Sequence, residues 1–172
     1  VGGVQSSSAQ NVMKLMQNNE SFGIYPGGFH ELSRFEHGKE FVYIKKKKGF
    51  IKYALRFGYQ IVPTYTFGEA HTYRNLVPSL CEKYQWFSKM VTWLNTRNLP
   101  FVLFCGGYPW LNPLLPHSEG VGVHTIHGKA IEIPKIPNPT QEDIDTYHAI
   151  YVEQLKALFD RNKARFGMHE VP

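Results

Sequence analysis

A glutamate three residues beyond a glycine pair is the first place in this chain where chemistry can be built. The segment IYPGGFHEL, residues 24–32, reads as a strand stopped by Pro26, Gly27 and Gly28. A glycine pair lets the backbone turn sharply and come close to a bound group. At the carboxyl end of a parallel strand, such a turn sits where α/β sheets bind ligands. Glu31 then has two uses: it can orient a catalytic histidine or hydrogen-bond a substrate hydroxyl. The plainer alternative is a turn followed by a solvated carboxylate.

Lys45, Lys46, Lys47 and Lys48 form a second candidate, between an expected strand and an expected helix. Free N–H groups at a helix N-terminus attract anions, and lysines add point charge. The phosphates of coenzyme A or a membrane surface are fitting guests, and a solvated basic turn is the alternative. Nucleic acid fits poorly. The aromatics fall in expected strands and helices as core, without the stacking pattern of an RNA-binding sheet.

The remaining polar residues exclude several chemistries. His124 and His127 stand three apart in an expected hairpin, with no carboxylate or cysteine at ligand spacing, so no metal site is expected. His148 lies mid-helix and reads as a satisfied structural residue. No GxSxG elbow supplies a hydrolase nucleophile. Neither GxxxxGK[ST] nor GxGxxG occurs, which removes the usual nucleotide-binding folds.

The chain has 172 residues, 42% hydrophobic, enough for one domain with a real core. Two cysteines, Cys81 and Cys105, make neither a disulfide framework nor a CxxC site, which suits a reducing, cytosol-facing environment. No apolar run reaches the roughly 18 residues needed to span a bilayer. A net charge of +5 with 15% aromatic residues suits an anionic partner. Val1 stands where an intact chain has methionine, so a fragment of a longer protein is expected.

The elements that would position these residues follow from periodicity. A helix is expected over residues 8–17, with Val12, Leu15 and Met16 on one face, serines in front and Asn18-Asn19 behind. Short strands are expected at 22–25 and 41–44. Residues 49–57 read as a helix with Ile51, Ala54 and Leu55 inward and Gly58 as its stop. Residues 60–67 read as a strand interrupted by Pro63. Strand, helix, strand at this spacing predicts a βαβ unit and a parallel sheet. An aromatic helix over 81–95, a buried strand at 101–104 and a loop over 106–120 follow. Strands at 121–126 and 129–133 are expected to form a hairpin about His127-Gly128. Thr140 is expected to cap the longest helix, with Glu142 and Asp143 in its first turn and Gly167 beyond its end. Its expected stripe is Ile144, Tyr147, Tyr151, Leu155, Leu158 and Phe159.

Four segments, in order, resemble the diacylglycerol acyltransferase 2 family. VGGVQSSSAQNVMKLMQ is similar to its Gly-Gly-hydrophobic segment and following helix. IYPGGFHEL resembles its glycine-rich, glutamate-ending loop, KKKKGFIKYALRFGYQIVPTYTFGE its most recognisable block, and PNPTQEDIDTYHAIYVEQLKALFDRNKARFG its C-terminal helix. The resemblance implies a single acyltransferase domain over 1–172. Its fold would be α/β and glycerolipid-acyltransferase-like: a largely parallel sheet flanked by helices, with a long C-terminal helix. It implies acyl transfer from acyl-coenzyme A to the hydroxyl of diacylglycerol, making triacylglycerol. A monoacylglycerol or a long-chain alcohol is the alternative acceptor, and a non-catalytic lipid-surface module the alternative of another class.

The family's general base lies in a His-Pro-His-Gly motif that none of the eight histidines here reproduces. That motif and a membrane hairpin are expected upstream of Val1. Within the chain, the resemblance implies a supporting role for Glu31. It implies substrate contacts at Pro26, Gly27, Gly28, Pro63, Gly68 and Glu69, and phosphate or membrane-surface contacts at Lys45–Lys48. No cofactor and no metal is implied; acyl-coenzyme A enters as a substrate. The expected location is the cytosol-facing endoplasmic reticulum membrane, and lipid droplets besides. Two departures bear on the acceptor: FCGGYPW lacks the family's arginine between glycines, and Ala130 replaces a proline near Gly128.

Overall fold

Several helix ends in this protein are set by short polar and glycine signals whose partners explain them. The computed structural model describes residues 3–28, 31, 37–39, 42–97, 99, 101–107 and 122–166. They fall into two compact units, one built from Val1–Pro26, Tyr43–Tyr65 and His127–Arg161, the other from Gly27–Val42, Thr66–Ile126 and Asn162–Pro172.

In the first unit, α1 (Ala9–Gln17) starts at Ser8, whose hydroxyl accepts from the Asn11 N–H at 3.4 Å. Beyond its C-cap Asn18, Asn19 takes a left-handed φ of 55°. Helix α2 (Gly49–Phe57) buries Ile51, Ala54 and Leu55, one face at i, i+3, i+4 spacing. Ile51 and Leu55 are fully buried, contributing about 1.5–3 kcal/mol each. Gly58 ends the helix at φ 75°, its N–H donating to the Ala54 carbonyl at 2.7 Å. Tyr59 then ties α2 to α1, its hydroxyl donating to the Met16 carbonyl at 3.0 Å.

The long helix of this unit, Gln141–Asn162, opens on a reciprocal cap. Thr140 Oγ1 accepts from the Asp143 N–H at 3.1 Å, while the Asp143 carboxylate accepts from the Thr140 N–H at 2.8 Å and from its hydroxyl at 2.7 Å. The Thr140 hydroxyl and then its N–H hold the Asp143 carboxyl below the ordinary carboxylate range. The buried positions are Ile144, His148, Tyr151, Leu155 and Leu158, a four-three spacing that makes one continuous seam. His148 takes the place in the seam where the hydrophobic pattern points to Tyr147, which is half-buried.

In the same unit the strand β1 (Thr64–Phe67) begins and β4 (His124–His127) ends, with Thr64 Oγ1 3.0 Å from His127 Nδ1. The Gly128 N–H donates to the Pro63 carbonyl at 2.7 Å, and Ile61 and Ile131 exchange both backbone bonds as an antiparallel bridge. One residue lies between Ile61 and Pro63, and two lie between Gly128 and Ile131. That extra residue is the arithmetic of a bulge, at the point where Pro63 has no N–H to give.

In the second unit, Thr66 Oγ1 meets Thr125 Oγ1 at 3.1 Å. Residue numbers rise along β1 as they fall along β4, so the pair is antiparallel. Strands β2 (Arg74–Asn75) and β3 (Phe104–Cys105) are also antiparallel, Arg74 opposite Cys105. The Asn75 side chain accepts from the Val77 N–H at 3.1 Å and so opens α3 (Val77–Lys83), with a proline in its first turn. Tyr84 is extended, at φ −128° and ψ 106°, and separates α3 from α4 (Gln85–Thr96). The long C-terminal helix is α5. Val77, Phe87 and Val91 form a buried cluster, with Leu80, Met90 and Phe101 packed against it. Cys81 and Cys105 are free, half-buried thiols.

The class is mixed α/β with a long C-terminal helix, but several expectations need correction. Every strand pairing among the described residues whose direction can be read is antiparallel, so the expected largely parallel sheet is not what they form. The expected βαβ unit lacks its first strand over residues 42–44. There the Ile44 carbonyl accepts from the Lys47 N–H at 2.9 Å and from His148 Nε2 at 3.1 Å, so a turn and a side chain take the place of a ladder. Residues 22–25 form no strand, and Tyr25 is 88% exposed. The expected hairpin about His127-Gly128 gives way to pairing of both its arms with the 61–67 segment. The expected helix over 81–95 is two helices, and the strand placed at 101–104 is Phe104–Cys105. Phe41, residues 108–120 of the expected loop, Val121 and Gly167 lie outside the described residues.

Two outcomes follow. Gly58→Ala should lower stability by about 1–2 kcal/mol in urea unfolding, because the new Cβ adds a contact of 3.0 Å to Lys135 at a left-handed φ. A carboxyl whose folded pKa is depressed stabilises above its unfolded pKa and loses that contribution as pH falls through the folded value. Asp143→Asn should therefore flatten the acid limb of the stability–pH profile below about pH 4, read as the difference between variant and parent, with the curves running parallel near neutrality.

Candidate functional site

Two clusters carry the polar residues that the sequence points to, one in each unit. In the second unit the glycine turn folds back on Glu31. The Glu31 N–H donates to the Gly28 carbonyl at 3.1 Å, and Gly28 holds φ 52°, a left-handed conformation that favours glycine. Gly27 is buried, and a Cβ built on it would fall on the Glu31 carboxylate. The turn thus brings the backbone against the carboxylate, and a side chain at Gly27 would have to push Glu31 aside. Glu31 itself is half-buried.

Gly68 and Glu69, of the same unit, stand at the end of β1. Gly68 is buried, and its carbonyl accepts from the His71 N–H at 3.1 Å. Glu69 opens a 3-10 turn, Glu69–His71, with its side chain exposed. Its carbonyl accepts from the Thr72 hydroxyl at 2.6 Å. His71 meets the His37 ring edge-on at 5.4 Å, and His37 Nδ1 donates to the Tyr73 carbonyl at 3.2 Å. Nothing in the local sequence signals this histidine pair, which is 34 residues apart in the chain. Among the described residues no three His, Cys, Asp or Glu side chains converge as a metal site.

In the first unit, Pro26 is half-buried ahead of the turn, and Pro63 is fully buried with its carbonyl already accepting from the Gly128 N–H. The lysine run diverges. Lys45 and Lys46 are exposed, Lys47 lies over the Tyr43 ring at 5.8 Å, and Lys48 donates to Asp145 at 2.7 Å. Asp145 also accepts from the Gln141 amide at 2.7 Å. The Lys48 hydrogen bond, then that of Gln141, holds its carboxyl below the usual range. Beneath the run, His148 is buried and donates from Nε2 to the Ile44 carbonyl at 3.1 Å, with Phe50 edge-on to its ring. It is a satisfied structural histidine.

Between the lysine turn and α5 runs an open groove of about 470 Å³. Ala149 and Val152 floor it, and Lys45, Lys48, Asp145 and Lys156 stand around it with Glu153. Lys48 is neutralised by its pair, which leaves Lys45 and Lys156 as the ammonium groups free to meet an anion. Lys156 was not legible as a partner of the run, because its place depends on how α5 packs.

The family model for diacylglycerol acyltransferase matches residues 1–171. The chain belongs to the diacylglycerol acyltransferase family. It is 36% identical to diacylglycerol O-acyltransferase 2 of Danio rerio over 98% of its length, and 34% identical to that of Mus musculus over the same share. Acyl-CoA wax alcohol acyltransferase 2 of Mus musculus is 33% identical over 97% of the chain. The chain spans about half the length of these curated relatives, 47%, 44% and 50% respectively. No solved structure gives a significant match. In this family member Gly27 and Gly28 belong to one unit of the fold and Lys45–Lys48 to the other.

Gly28→Val should cost about 1–3 kcal/mol in thermal unfolding because a β-branched residue does not hold this φ. Gly28→Asn should cost much less, since asparagine visits the left-handed region.

Proposed function

We propose that this protein transfers a fatty acyl group from acyl-coenzyme A to the hydroxyl of diacylglycerol, making triacylglycerol. The observation that carries the reading is the family match over nearly the whole chain. In the step, the acceptor oxygen attacks the thioester carbonyl, the new C–O bond forms and the C–S bond breaks. The hydroxyl proton passes to a general base and then to the leaving thiolate, giving an ester and free coenzyme A. By its resemblance the base is the histidine of a His-Pro-His-Gly motif, which the 172 residues do not contain.

This chain's own residues then have supporting parts. Glu31, held against Gly27, orients the base or the acceptor hydroxyl. Pro26, Gly27, Gly28, Pro63, Gly68 and Glu69 contact substrate. Lys45, with Lys156 across the groove, receives coenzyme A phosphate or a lipid head group. The work is done on the cytosolic face of the endoplasmic reticulum and at lipid droplets. No helix among the described residues is long and apolar enough to cross a membrane. The parallel-sheet architecture of glycerolipid acyltransferases remains part of this proposal for the complete protein. A long-chain alcohol is the second acceptor to test, because a relative of nearly equal identity carries wax alcohol in its name.

The test is acyl transfer in microsomes expressing the complete coding sequence, with labelled acyl-coenzyme A and either diacylglycerol or a long-chain alcohol offered. Triacylglycerol should form in excess over wax ester. Gly27→Ala should reduce turnover at least about tenfold while protein abundance holds, since the reacting geometry tolerates little displacement. Lys45→Gln combined with Lys156→Gln should raise the KM for acyl-coenzyme A at low salt, with little change at high salt. Absence of any acyl ester product from abundant protein would leave the lipid-surface module as the reading.

A further inference from the structure

The helix α4 turns large aromatic rings to solvent although it has an apolar cluster on its other side. Phe87 and Val91 are buried, yet Trp86 is 66% exposed and Trp93 52%. Seven residues apart, the two tryptophans stand about 20° apart around the helix and so share one face. Tyr84, in the break ahead of the helix, stacks tilted toward Trp86 at 6.4 Å. Leu99, just beyond the helix, is exposed as well. Scattered exposed apolar residues need no explanation, but two exposed tryptophans on one helix face, with an exposed tyrosine against one of them, mark an interaction surface.

The charges around the patch are mostly basic. From Glu82 to Arg97 the chain carries Lys83, Lys89 and Arg97 against the single acid Glu82, which is also exposed. All three basic side chains are exposed. Two of them lie over the aromatic rings: Arg97 Cζ is 3.9 Å from the centre of the Trp93 ring, and Lys83 Nζ is 5.4 Å from that of Tyr84. The cations therefore border the rings at the same surface instead of facing away from them.

We propose that Trp86, Trp93, Tyr84 and the cations Lys83, Lys89 and Arg97 form a seat for the head-group layer of an anionic bilayer. Indole and phenol rings are apolar bodies with one polar tip, and they settle where hydrocarbon meets water. Lys and Arg beside them meet lipid phosphates and carboxylates. A pocket in another protein would have to supply acids matched to each cation, whereas an anionic leaflet supplies negative charge everywhere along the face. The inference deepens the lipid-acceptor reading and rests on it for purpose. It concerns a surface apart from the lysine groove, and its test needs no turnover, so either can fail alone.

The experiment uses the 172-residue chain with vesicles of phosphatidylcholine alone and of phosphatidylcholine with phosphatidylserine. Trp110, outside the described residues, is replaced by phenylalanine so that only Trp86 and Trp93 report. Their emission should shift to the blue with the anionic vesicles and be quenched by brominated acyl chains. Trp86→Ala with Trp93→Ala should lower partition by at least about tenfold, with the chain still folding cooperatively because both side chains are more than half exposed. Replacing Lys83, Lys89 and Arg97 with glutamine should remove the preference for phosphatidylserine. Three results would each overturn the proposal. One is a parent chain whose tryptophans are not quenched; that measurement stands even if the alanine pair fails to fold. Another is equal partition of parent and folded alanine pair. The third is self-association that disappears with the two tryptophans while vesicles go unbound, which would make a second copy the occupant.

Discussion

A buried imidazole must spend its ring proton on an acceptor, and in this protein the acceptor decides where the long helix lies. His148 sits in the apolar seam of α5 and donates to the carbonyl of Ile44, 104 residues earlier. Leaving such a group unpaired would cost on the order of 1–3 kcal/mol. The bond also fixes helix register, because one residue of slip would move His148 out of reach. Phe50 packs edge-on against both His148 and Tyr151 and fills the space beside the bond. Outside it, Lys48 and Asp145 close the same contact at the surface. The buried hydrogen bond and the packing supply the stability; an exposed ion pair adds little.

The groove is a consequence of that docking. Holding α5 against residues 44–50 places Lys156 and Glu153 on the same side as Lys45. It also takes Lys48 out of service, since its ammonium is matched by Asp145. A run of four lysines therefore presents fewer usable charges than its composition promises. The glycine turn follows a different rule. There the constraint is volume: Gly27 leaves room for the Glu31 carboxylate that any other residue would occupy, and Gly28 supplies the left-handed backbone that returns the chain toward it. In α4 the governing fact is which side of the helix finds partners. Phe87 and Val91 are covered by Val77, Leu80 and Phe101, and the tryptophans are left at the edge.

Local signals in the sequence determined the helices. Ser8, Gly58 and the Thr140–Asp143 box each act within four residues on the backbone beside them, so their effects needed no knowledge of the fold. The inward face of α2 was legible for the same reason, as Ile51, Ala54 and Leu55 recur at the helical period. The glycine turn and Glu31 were legible as neighbours, and the lysine run as charge. Tertiary structure alone decided the rest. Strand direction depends on which distant segment supplies the partner carbonyls; residues 124–131 paired antiparallel with 61–67 instead of with each other. Tyr84 split an aromatic helix because its neighbours on both sides pack on one cluster. His148 replaced Tyr147 in the seam because Ile44 offered it an acceptor. Lys48 found its counter-charge in Asp145, 97 residues away. Pattern within a helical turn is written in the chain itself, while a pairing across a hundred residues exists only once the chain has folded.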